Sequence, residues 1–352
     1  MAIKITGLGS YVPDVVKKNV NFSEHKFLNM DGSSIKSENE IIIEKFKAIT
    51  GIDERRYGSD AMTSSDMGTI AAQAAIDDAS VDPETLDYII CAHNYGDVQK
   101  GSNFSDIVPS LGSRIKHNLR IKNPKCVAYD ILFGCPGWIE GVIQAQAFIK
   151  AGMAKKCLVI GTEMLSRVVD NHDRDSMIYS DGAGASVIEQ DDSDTGILAF
   201  ETATFTYDEA YFLFNGSSYN PDAEQATKYI KMYGRKIYNF ALTQVPQAMK
   251  TCLENSGCSI GDVKKIFIHQ ANEKMDEAIV SRFYKLHDLE MPEHIMPMSI
   301  NKLGNSSVAT VPTVFDMVRN GDLKNHEINK GDVFIFASVG AGMNINAMVY
   351  RY

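Results

Sequence analysis

One tryptophan in 352 residues, a shortage of positive charge and no long apolar run are the first constraints this sequence sets. A bilayer-spanning helix needs about 20 consecutive apolar residues, and no stretch supplies them. The opening Met1-Ala2-Ile3-Lys4-Ile5-Thr6-Gly7-Leu8-Gly9-Ser10 has no basic region leading into an apolar one, so the expectation is a cytoplasmic chain without a membrane partner. Neither a Cys-x-x-Cys nor a His-x-x-x-His spacing occurs, which leaves a zinc site without support. The six cysteines fall mostly in apolar runs and read as reduced and buried rather than as a disulfide framework. Gly7-x-Gly9 lacks the third glycine of a dinucleotide fingerprint. With 35 Lys and Arg against 45 Asp and Glu, the net charge of −10 argues against non-specific nucleic-acid binding. A chain this acidic needs a local basic patch to dock an acidic partner.

What is present is ordinary globular composition, 44% apolar and 23% charged, in enough chain for two domains or one large α/β unit. Apolar runs of strand length at 86–92, 126–132 and 157–161 alternate with helical patterns at 67–79, 109–119 and 136–151. The second half repeats the plan: strands at 196–205, 264–269, 294–299, 332–337 and 346–352, and helices at 230–254, from 273, and at 306–319. Lys264-Lys265-Ile266-Phe267-Ile268-His269 echoes Lys155-Lys156-Cys157-Leu158-Val159-Ile160. Such alternation predicts mostly parallel sheets covered on both faces. Two similar halves, 1–190 and 191–352, set back to back would bring both groups of strand ends to one interface, where α/β sites commonly lie. The Gly-, Asn-, Ser- and Asp-rich stretch 94–107 reads as a functional loop.

The chain is organised around Phe133-Gly134-Cys135-Pro136-Gly137-Trp138. It joins an apolar strand to a helix apolar on nearly every face, which belongs inside a core. Proline fits a first helical turn, so Cys135 lies at a helix N-terminus, where unpaired N–H groups and the helix dipole favour thiolate. A nucleophile is one reading. An inert buried cysteine is the other, and this stretch alone leaves both open. Two further polar signals follow apolar strands: His269 in Ile268-His269-Gln270-Ala271-Asn272, and Asn305 in Gly304-Asn305-Ser306-Ser307. Each alone suits a structural histidine or a turn and cap. Their joint appearance with Cys135 points to a site.

Gly134-Cys135-x-Gly137, Asp173-Arg174, Asp181-Gly182-Ala183-Gly184, His269-Gln270-Ala271-Asn272, Gly304-Asn305-Ser306-Ser307 and Gly340-x-Gly342 together resemble the β-ketoacyl-acyl-carrier-protein synthase III family of the thiolase superfamily. The resemblance runs essentially end to end. It implies a thiolase-like, five-layered αβαβα fold of two duplicated halves, a homodimer, and catalytic Cys135, His269 and Asn305, with no metal or redox cofactor. Cys135 would take an acyl group from an acyl-CoA or acyl-carrier thioester. Malonyl-acyl carrier protein would then lose CO2, and its enolate would attack the acyl-enzyme. His269 and the Asn305 amide would donate to the enolate oxygen, while the N–H groups of Cys135 and Ala341 would serve the tetrahedral oxyanion. Arg174 matches an adenine-contacting arginine and Tyr179 an acyl-channel position. Lys274, Arg282 and Lys285, within roughly 80° on one helix face, are the implied carrier-protein dock.

The sequence departs from the family pattern at Pro136, Trp138, Ala341 and Asn239, and lacks the tryptophan that many members stack on adenine. A Cys-His acyltransferase or thioester hydrolase sharing the acyl-enzyme is the competing class, and a non-catalytic partner subunit a third. Asn305 as an enolate donor favours condensation. Glu163 is only a distant candidate for the general base that a hydroxymethylglutaryl-CoA synthase would need.

Overall fold

A computed structural model describes residues 2–102, 104–191 and 195–352. Met1, Asn103 of the anticipated loop 94–107, and residues 192–194 beside the anticipated 190/191 boundary lie outside the described residues. The first sheet runs in the order Ala2–Tyr11, Asp181–Asp191, Lys156–Met164, Tyr88–Ala92, Val127–Ile131. Its last three strands are mutually parallel, and Asp181–Asp191 is antiparallel to both neighbours. The second sheet runs Gly196–Thr204, Asn344–Arg351, Val333–Gly340, Val263–Ile268 with the same sequence of directions. The halves therefore repeat one topology.

The helices Gly137–Lys150 and Thr310–Arg319 lie between the sheets. The first is apolar around most of its circumference, with Trp138, Ile139, Val142, Ala145 and Ile149 buried. These side chains share one core with Ile90, Val159 and Ile188 of the first sheet and Phe267, Phe334 and Phe336 of the second. The single tryptophan belongs to this core, its Nε1–H donating to Ser186 Oγ at 3.2 Å. Ser64–Ala79 and Leu111–Asn118 cover the outer face of the first sheet. Gly234–Ser256 and Glu273–Lys285 cover that of the second. The result is the αβαβα sandwich.

Three expectations differ from the structure. The helix expected over 230–254 begins at Gly234, because Tyr229–Met232 is a strand paired with Leu213–Gly216. Buried Lys231 draws that segment into extended form: its Nζ donates to Asp170 Oδ2 at 2.7 Å and Asp173 Oδ2 at 3.1 Å, and lies 3.3 Å from the centroid of the Tyr219 ring. The strand expected at 294–299 is absent. Ile295 still accepts from Ile266 N–H at 2.9 Å at the corresponding sheet edge, but His294 at φ 57° and Pro297, which has no N–H to donate, prevent a ladder. The echo between 155–160 and 264–269 joins non-equivalent strands. Val263–Ile268 occupies the place of Tyr88–Ala92, so the counterpart of His269 is His93. Buried parallel strands share an apolar, β-branched composition whatever their position.

Candidate active site

The strand ends of both halves open on one cavity of about 1060 Å³. Cys135, His269 and Asn305 all line it, as do Arg174, Tyr179 and Ala341. Two backbone segments are pressed together at its floor. A Cβ on Gly340 would sit 2.4 Å from Cys135 N, and one on Gly134, at φ 71°, would sit 2.7 Å from Ala341 N. Glycine at both places lets the Ala341 N–H approach the cysteine turn. Asn344 secures the junction, its Nδ2 donating to Ala341 O at 2.9 Å and Phe133 O at 3.3 Å.

Ser307 joins the three anticipated side chains. Its hydroxyl donates to Cys135 Sγ at 3.4 Å, and its N–H donates to Asn305 Oδ1 at 2.7 Å. The His269 ring lies against its backbone. Ser307 reaches this position at φ 53°, a left-handed conformation uncommon for serine. With the Asn305 oxygen taken, its Nδ2 is left to donate. Asn305 itself is pinned by Ile178, which accepts its N–H at 3.0 Å, and by Ser180, which donates to its carbonyl at 2.8 Å.

The expectation of a thiolate at a helix N-terminus is reversed here. Pro136 caps the helix that starts at Gly137, and Cys135 stands one residue outside it. Its side chain is partly exposed, but to the cavity rather than to bulk water. Burial pushes the thiol up to about 11, the Ser307 hydroxyl opposing and the Glu163 carboxylate adding to the rise. Burial lowers His269 to about 4, partly offset by the Ser307 backbone. Its Nδ1 has no hydrogen-bond partner among the described residues. The resting centre thus holds a neutral thiol beside a neutral imidazole.

Around the mouth, Arg174 is 64% exposed with Asp175 at 4.0 Å. Tyr179 is buried, its hydroxyl without a partner among the described residues. Lys274, Arg282 and Lys285 are exposed along Glu273–Lys285, outside the cavity lining. Lys45, Arg235 and Lys236 line the mouth and were not anticipated. Ser307, Asn94 and Glu163 were also missed as a group. A carboxylate near the end of the mostly apolar strand Lys156–Met164 was their one visible signal.

The family described as 3-oxoacyl-[acyl-carrier-protein] synthase III matches residues 129–205, and its C-terminal part matches 253–352. A β-ketoacyl-[acyl-carrier-protein] synthase III of Halalkalibacterium halodurans is 32% identical over 99% of this chain and 98% of its own. The chain belongs to the synthase III family. As a member it is an acyltransferase of the condensing type with a thiolase fold. The counterpart from Caldanaerobacter subterraneus is 31% identical over 100% of this chain and 98% of its own. Among solved structures, the synthase III of Aquifex aeolicus superposes with TM-score 0.80 at 28% identity, covering 99% of this chain and 100% of that one. A priming β-ketosynthase of the R1128 polyketide pathway gives TM-score 0.80 at 25% identity over 99% and 96%. No helix among the described residues of this family member is long and apolar enough to cross a membrane.

Proposed function

We propose that this chain joins an acyl thioester to malonyl-acyl carrier protein by decarboxylating Claisen condensation, in cytoplasmic fatty acid or related secondary-metabolite synthesis. One observation carries the reading: Ser307 contacts Cys135, Asn305 and His269 at once in a cavity large enough for a thioester arm. In the first step Cys135 sulfur bonds the acyl carbon, the donor's C–S bond breaks, and the thiol proton leaves with the departing carrier thiolate. In the second, malonyl loses CO2 and the enolate oxygen accepts from Asn305 Nδ2 and the His269 ring. Neutral groups suit this task, because they stabilise developing charge without transferring a proton. The enolate carbon then attacks the acyl carbon. The tetrahedral oxyanion accepts from the N–H groups of Cys135 and Ala341 and collapses by expelling the Cys135 thiolate, which regains a proton.

The halves in this reading are 1–190, carrying the nucleophile, and 191–352, carrying His269 and Asn305; their matching strand orders support the division. The substrate reaches the thiol past Arg174 and Tyr179, and Lys45, Arg235 and Lys236 at the mouth supply positive charge for a phosphopantetheine arm. Lys274, Arg282 and Lys285 form the exposed dock for the acidic carrier protein. The edge strand Val127–Ile131, with Val127, Leu132, Phe104, Ile107 and Val108 exposed nearby in the chain, supports a homodimer. Intact-protein mass spectrometry with a panel of acyl-CoA and acyl-carrier donors tests the reading. Wild type gains the acyl mass and Cys135→Ala does not, and added malonyl-carrier protein yields the 3-oxoacyl product. Release of free acid in its place would assign a hydrolase.

A further inference from the structure

Glu163 is fully buried one residue before the end of Lys156–Met164, and the condensation has no use for it. Its Oε2 accepts from the Asn94 backbone N–H at 3.0 Å and from Asn94 Nδ2. Its Oε1 has no hydrogen-bond partner among the described residues. Asn94 Nδ2 also donates to Ser307 Oγ at 3.2 Å, and Ser307 Oγ lies 3.4 Å from Cys135 Sγ. Four residues, from two loops, one 3-10 turn and one strand, thus form a line from a buried carboxylate to the sulfur. Glu163 reaches the thiol only through two other side chains, so it is not a base in contact with it.

The polarity of this line follows from its first link. A backbone N–H can only donate, so the oxygen it meets must accept, and an Asn94 side-chain oxygen would be repelled by that same carboxylate. The carboxamide nitrogen therefore faces Glu163. Its second hydrogen goes to Ser307 Oγ, whose own hydrogen is then free for Cys135 Sγ. We infer that Glu163 is a positioning residue for the nucleophile, which through Asn94 aims the Ser307 hydroxyl hydrogen at the sulfur. The inference rests on the proposed role of Cys135. The carboxylate's charge acts on the thiol in the opposite sense, opposing thiolate formation. His93, Cys91 and the Tyr95 backbone also face Glu163, and burial raises its pKa to about 7.

The two effects separate by substitution. Cys135 alkylation by iodoacetamide, followed on its own peptide across pH in the full-length protein, reads the thiol without any acyl substrate. Ser307→Ala, Asn94→Ala and Glu163→Ala should each slow it about tenfold near neutral pH. Adding Glu163→Ala to Ser307→Ala should slow it no further, and loss of the charge should if anything speed it. Glu163→Gln keeps an acceptor oxygen where the Asn94 N–H requires one and drops the charge, so it should react at least as fast as wild type. Rates moving the same way in Glu163→Ala and Glu163→Gln, or additive losses in the double variant, overturn the inference. If Glu163→Ala does not fold, Asn94→Ala with and without Ser307→Ala decides by the same additivity. A negative result leaves the condensation reading untouched, since no thioester enters the assay.

Discussion

His93 and His269 follow equivalent strands in the two halves, yet the protein treats them oppositely. His93 is saturated: its Nε2 lies 2.9 Å from Asp130 Oδ2, and its Nδ1 accepts the Gly96 N–H at 3.0 Å. Asp130 in turn accepts from the N–H groups of Leu111 and Gly112, both at 2.7 Å, fastening the helix Leu111–Asn118. His269 keeps Nδ1 without a partner among the described residues and is lowered to about 4 by burial. The central helices differ in kind, one entrance carrying Cys135 and the other Asn305 and Ser307. Duplication supplies equivalent sockets. Chemistry goes to the residue whose hydrogen-bonding capacity is left open, and scaffolding to the one whose capacity is filled.

The largest expected difference is catalytic. His269→Ala should lower malonyl decarboxylation about a hundredfold or more, while His93→Ala should lose at least tenfold less per folded molecule, both read as CO2 release. The order should invert for stability. His93→Ala removes satisfied buried bonds and should cost about 1–3 kcal/mol in denaturant unfolding, whereas His269→Ala removes one contact with the Ser307 backbone and a nitrogen without a partner among the described residues, and should cost less.

The pH profiles sharpen the same contrast. With His269 at about 4, the ring is neutral above about pH 5, so decarboxylation by preformed acyl-enzyme should stay flat from about pH 5.5 to 8. With the thiol at about 11, the thiolate fraction grows as pH rises through that range, so Cys135 acylation should climb toward tenfold per unit. Parallel profiles for the two steps would contradict both assignments. The smallest effect lies on the surface. Lys274→Glu should raise KM for carrier-bound malonyl about fivefold at low salt and spare a small thioester analogue, because an exposed charge is screened.

Much of this was legible in the amino-acid order. Buried strands are continuous apolar runs, and Cys135 and His269 stand out because each is polar where such a run stops; Asn305, expected to do the same, follows the short helix Ile300–Leu303. Lys231 misled because its extended conformation depends on Asp170 and Asp173, far away in the chain. Local spacing carries no trace of such partners. The thiol's direction was misjudged because the helix N-terminus is a local feature while desolvation comes from the folded cavity. Ser307 was noted only as part of a turn and cap motif, because its left-handed backbone and three contacts exist only once both halves meet. His93, just past the run 86–92, drew no notice, since its saturation depends on Asp130, which lies 37 positions away.

The most direct test is single-turnover CO2 release from malonyl-carrier protein by the pre-acylated His269→Ala and Asn305→Ala variants. Both should carry the acyl mass on Cys135 and release CO2 at least a hundredfold more slowly than wild type. Decarboxylation at the wild-type rate with the acyl group in place would contradict the account.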